Sequence, residues 1–202
     1  MLKKIIEFVI EPQFLLIVSV IFLIAGHFVF KKTYLDCRKI VLKHMECFKT
    51  TKGIYSKVSI FIYFFVPCLI SIALIQIRTI DDNVINIITI IVSILTSMLF
   101  TLLTLILDMR KKVLSDREYD GNKANISGKI LKETYYTIMF EILVSVIILI
   151  MCFAEIFSKE YSLFSSAVIY YLTFVLLVNL FIVLKRIFKV IDEDIKVQDE
   201  QL

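Results

Sequence analysis

A chain of 202 residues that is 59% hydrophobic, with a mean hydropathy of +0.86, is consumed almost entirely by membrane-crossing segments and their connections. That composition excludes a separate soluble catalytic domain. The formal charge of +4 follows from how Lys and Arg are placed around the apolar runs and calls for no direct nucleic-acid binding.

The apolar runs cover about residues 13–30, 58–77, 84–107, 137–157 and 166–184. A hydrocarbon core of about 30 Å needs about 20 helical residues to cross. The expected fold is therefore an all-α, polytopic transmembrane helical bundle, one membrane domain over residues 1–202, with five spans, or four if the first run lies in the interface. The linkers 31–57 and 108–136 and the tail 185–202 hold 19 of the 23 Lys and Arg residues. Because short basic segments stay in the cytoplasm, the N-terminus is expected outside and the C-terminus inside. The Ile- and Lys-rich composition suggests a bacterial chain, which places it in the inner membrane, with lipid as its surroundings.

Residues 2–11 are short and amphipathic and lead into Pro12, which suits a helix start at the interface. Lys3 and Lys4 before the first run imitate a secretory signal, but Glu7 and Glu11 interrupt it and Lys31 and Lys32 close it as a stop-transfer flank. His27, beside Gly26, reads as a packing residue. The segment after this run places Tyr34, Cys37, Val41, Met45 and Phe48 at helical spacing, which predicts a helix ending near Gly53. Cys37, His44 and Cys47 lack a fourth ligand and match no zinc pattern, so neither metal nor cofactor is expected. The four cysteines form no CxxC pair, and no disulfide is expected.

In the second run Pro67 removes an intrahelical bond and frees the carbonyl of Tyr63, so a kink is expected there. RTIDDN then joins the second and third runs, and SKEYSLFS the fourth and fifth, so each pair reads as a tight hairpin. The third run carries the sharpest pattern. Asn86, Thr89, Ser93, Ser97, Thr101, Thr104 and Asp108 recur every three or four residues and form one polar stripe. In hydrocarbon such a stripe should face protein or water, as a helix-packing seam or as the lining of a pore.

Gly121 and Asn122 close the charged stretch that follows, and Ser127 offers an N-cap for the next helix. The fourth run contains the ionisable residues deepest in any apolar run, Glu141 and Glu155. Fourteen residues put them about 21 Å apart along a helix. That is too far for a carboxylate dyad, leaving either snorkelling to an interface or an ion or proton site. Asn179 and Gln76 are candidates for interhelical hydrogen bonds.

The length, the Lys-rich segments such as KKTYLDCRKIVLKH, the stretch RKKVLSDREYDGNKANISGKILKETYY and the acidic tail IDEDIKVQDEQ together resemble the membrane subunits of Kiwa antiphage systems, the KwaA family. The likeness spans the whole chain as a form and has no signature motif. It implies four spans and an inner-membrane oligomer that senses phage attack with a cytoplasmic DNA-binding partner.

No phosphate loop, nucleophile elbow or HExxH motif occurs, and no paired nucleophile and base is visible, so the chain is not expected to be an enzyme. The expected function is an oligomeric sensor or scaffold that recruits a cytoplasmic protein. Lys39 and Lys111 in the linkers and Asp192, Glu193 and Asp194 in the tail are candidates for its docking surface. A channel-like effector lined by the stripe and the two acids is one alternative. A transporter membrane component or a bacteriocin-immunity protein is another.

Overall fold

The computed structural model describes Val18 and residues 37–49, 53–115, 121–157 and 161–199, with side chains at Val18, 37–49, 53–111, 128–157 and 161–192. Contacts divide the chain into two units, Met1–Lys39 and Ile40–Leu202. The first apolar run, His27 and the amphipathic N-terminal segment lie outside the described residues, apart from Val18, which is helical. The second unit holds the helical bundle.

Five helices make up the described fold: α1 (Arg38–Glu46), α2 (Lys57–Ile77), α3 (Asp82–Ser115), α4 (Gly121–Glu155) and α5 (Leu163–Asp199). The last four are long and apolar enough to cross a membrane, which is the architecture of a multi-pass membrane protein. No proline follows Pro67, so nothing in the covalent chain interrupts α3, α4 or α5, which reach 34, 35 and 37 residues. At 1.5 Å per residue these helices are about 50 to 55 Å long, well beyond a hydrocarbon core of about 30 Å. They therefore carry their charged ends out of the lipid as helix. Most of the stretch read as the linker 108–136, and the tail as far as Asp199, belong to these helical extensions.

α4 is the central element. It packs on α3 and on α5, and α5 in turn packs on α2. Half of the α4 span is buried, against 11% of the α2 span and 17% of the α3 span. Leu131, Ile138 and Ile148 of α4 meet Ile169, Val175 and Leu176 of α5 in a core where each side chain is at most 2% exposed. Between lipid-soluble helices this contact is held by dispersion and close fit rather than by expulsion of water.

Four expectations are corrected. α2 and α3 do not form a packed hairpin: α2 lies against α5, where the Ser71 hydroxyl donates to the Ala167 carbonyl at 2.9 Å. A short connection holds only the joined ends together, and side-chain fit chooses the packing partner. Ser127 is not an N-cap, because α4 already starts at Gly121. Lys123 and Ala124 favour helix and no proline intervenes, so propagation runs through Ser127. α1 turns Ile40 and His44 inward, with Phe48 buried just past its end, while Val41 is 38% exposed and Met45 half-buried, and the helix ends at Glu46 rather than near Gly53. Finally, Gln76 is exposed and so bonds to no neighbouring helix across a buried contact.

Beyond α1, an antiparallel bridge joins Lys49 to Tyr55 around Gly53, whose φ of 75° is the left-handed conformation that glycine adopts without strain. In α2 the disturbance expected from Pro67 takes the form of a π turn at Phe61–Phe65, after which the α-helix resumes at Val66 with Pro67 buried in its first turn. The wider turn absorbs the missing N–H and ring clash that proline imposes on the preceding carbonyls.

At the opposite end of the bundle, the Asp81 carboxylate caps α3 by accepting from the Val84 N–H at 2.9 Å and pairs with Arg78. The Tyr161 hydroxyl donates to Asp82, and the Tyr170 hydroxyl to the Arg78 carbonyl at 3.3 Å. Tyrosines with a wet end and an apolar body suit a lipid–water boundary.

Candidate functional site

Glu133, Thr137, Glu141 and Ser145 recur every fourth residue on α4, so they line one face with about 6 Å between successive levels. The lower three are fully buried, and Glu133 keeps 35% side-chain exposure at the end near α1. This file faces α5. Arg186 of α5 donates through Nη1 to the Thr137 hydroxyl at 2.7 Å and places Nη2 3.8 Å from the Glu133 carboxylate. The Thr137 hydroxyl itself donates to the Glu133 carbonyl at 3.0 Å. Arg186 is thus a partly buried cation held by one good hydrogen bond and one loose ion pair.

Deeper in the bundle, Asn179 of α5 brings its amide to the Glu141 carboxyl. Both residues are 0% exposed, and neither oxygen of Glu141 nor the nitrogen and oxygen of the Asn179 amide has a hydrogen-bond partner. Snorkelling is closed to Glu141. Glu155, in contrast, is the last residue of α4 and half-buried, so the two acids occupy different environments. Past Ser145, whose hydroxyl donates to the Ile142 carbonyl at 2.9 Å, the buried face of α4 becomes apolar at Ile148 and Cys152.

α1 closes the Arg186 end. His44 is 1% exposed, lies on Phe140 and meets Phe48 edge-on. Burial, reinforced by the Arg186 charge, lowers its pKa to about 4. The adjoining Cys47 thiol sits 3.8 Å from the Glu133 carbonyl, and burial pushes its pKa up. Among the described residues no group of three His, Cys, Asp or Glu side chains is placed to hold a metal.

The stripe on α3 has a different place. Asn86, Ser93, Ser97, Thr101, Thr104 and Asp108 are exposed on the face turned away from the other described helices, and only Thr89 is half-buried. The inward face of α3 is Ile85, Ile88, Val92, Leu99 and Ile106. The Thr89 hydroxyl is enclosed without a partner beside an apolar groove of about 410 Å³ lined by Val146, Leu149, Ile150, Phe153 and Ile156. Thr101 and Thr104 satisfy their hydroxyls on the carbonyls of Ser97 and Phe100, at 3.2 and 3.1 Å.

Of the docking candidates, Lys39 is exposed on α1, and Lys111 is exposed with its ammonium 3.7 Å from Asp108 of the same helix. Asp192 is half-buried, while the side chains of Glu193 and Asp194, in the last turns of α5, lie outside the described residues. The structure thus brings together Glu141, Asn179 and four residues the sequence did not connect to them: His44, Glu133, Thr137 and Arg186. The four-residue step on α4 was the available signal. Compared with protein-family models, curated proteins and solved structures, the chain matches none.

Proposed function

We propose that this chain is a non-enzymatic, multi-pass protein of the bacterial inner membrane that works as a homo-oligomeric sensor or scaffold, its copies meeting along the α3 stripe. The observation that carries this reading is the outward direction of the stripe, whose six exposed members stand among Ile87, Ile90, Ile94, Met98 and Leu105. Lipid tails offer these polar groups nothing, whereas small hydroxylated residues let a second helix approach closely. A seam is favoured over a pore because the Thr101 and Thr104 hydroxyls already bond to their own helix and need no water.

The charged extensions of α3, α4 and α5 are the docking surface for a cytoplasmic protein in this reading. With the resemblance to Kiwa membrane subunits, that partner is a DNA-binding subunit and the stimulus is phage attack.

The test is the mass of the assembly in lipid nanodiscs. Ser93→Leu with Ser97→Leu is expected to reduce the assembly to smaller species. Ile90→Leu with Ile94→Leu, equally exposed positions, is expected to leave it intact. Equal masses for both pairs would remove the stripe from the contact.

A further inference from the structure

Four buried atoms without hydrogen-bond partners meet inside the bundle: Oε1 and Oε2 of Glu141, and Nδ2 and Oδ1 of Asn179. Their donor and acceptor chemistry distinguishes the two ionisation states of the acid. An ionised carboxylate only accepts, so it takes one bond from Nδ2, leaves Oδ1 without a donor and keeps a full charge in an apolar interior. A neutral carboxylic acid carries one donor and one free acceptor. Opposite a carboxamide it completes a two-point pair, O–H to Oδ1 and Nδ2–H to the other carboxyl oxygen.

Among the described residues no cation balances the alternative. Arg186 is seven residues from Asn179, about 10 Å along α5, and is engaged by Thr137 and Glu133. His44 of α1 is held neutral by its burial. α3 turns Val92 and Leu99 inward and α2 turns Pro67 and Ser71, none of them charged.

We propose that Glu141 carries a proton in the resting protein, and that Glu141 and Asn179 form a proton-binding site reached from the end of the bundle that holds Arg186. Glu133 and Thr137 supply polar levels on that side, while Ile148 and Cys152 seal the other. The site therefore exchanges with one face of the membrane, which suits a proton-linked change in the fit of α4 to α5 rather than conduction. Loss of the proton breaks the two-point pair and strands a charge between the helices. The inference is independent of how copies assemble.

The full chain in phosphatidylcholine nanodiscs, studied by infrared spectroscopy, tests it. A C=O band of a buried protonated carboxyl is expected at neutral pH, lost in Glu141→Gln and retained in Glu155→Gln. Because glutamine preserves a two-point amide pair with Asn179, Glu141→Gln is expected to fold. The folded state of the wild type requires the proton, so its thermal stability should be present at low pH and fall as pH rises through deprotonation. That fall should be absent in Glu141→Gln. Wild-type and Glu141→Gln spectra that superpose across the carboxylic region at neutral pH, or stabilities that decline in parallel, overturn the proposal.

Discussion

The imidazole of His44 lies flat on the ring of Phe140, their centroids 4.0 Å apart and their planes 1° from parallel. This contact ties the short helix α1 to α4 one residue before Glu141, over the end of the buried polar file. A neutral ring suits that place, and a charged one does not.

Acid should therefore release α1. With its pKa lowered from 6.5 to about 4, His44 binds fewer protons folded than unfolded between those values. Its contribution to stability is complete above about pH 6.5 and is lost as pH falls toward 4. Labelling of Cys47, normalised to denatured protein at each pH, should rise over that window. His44→Phe should keep the stacking and lose the pH dependence. Unchanged Cys47 labelling in the wild type would show that α1 stays docked with a protonated imidazole.

Arg186→Met should destabilise the α4–α5 contact by about 1.5–3 kcal/mol, the usual range for a hydrogen bond to a charged group. Thr137→Val should cost less, because Arg186 retains Glu133 nearby. Unfolding in lipid nanodiscs measures both. Since the Arg186 charge also holds His44 down, Arg186→Met should bring the docked-state pKa of His44 closer to 6.5 and so shrink the acid-driven release of α1.

The placement of Lys and Arg predicts sidedness. A reporter fused after Asn122 or Leu202 should be cytoplasmic, and one at Asp82 or Ser162 should face outside. Four crossings between Lys57 and Asp192 would put the start of α2 and the end of α5 on one side. A cytoplasmic signal at Ser162 would reverse the assignment.

Deleting residues 191–202 removes the last turns of α5 and the acidic end of the chain. Membrane insertion should be unaffected, because acidic residues contribute little to orientation. Recovery of a co-purifying soluble protein should fall, most at moderate salt, where screening already limits charge to about 8 Å. Unchanged recovery would move docking to the surfaces around Lys39 and Lys111.

The four long apolar helices among the described residues were legible in the sequence. Runs of about 20 apolar residues can satisfy their backbone in lipid only as helix, and that constraint is local. The polar stripe was legible for the same reason, since 3.6 residues per turn determines which side chains share a face. Its direction was not. Periodicity says that Ser93 and Ser97 lie together, but only the packing of Val92 and Leu99 on α4 shows that the stripe points away from the other described helices. The pairing of α2 with α5 was equally hidden, because a short connection such as RTIDDN constrains helix ends and not helix faces. Glu141 and Asn179 each stood out as polar residues in apolar runs. Their meeting, and the enclosure of His44 above them, depends on the register of α4 against α5 and α1. That register is set by side-chain fit between segments far apart in the chain, which no local pattern encodes.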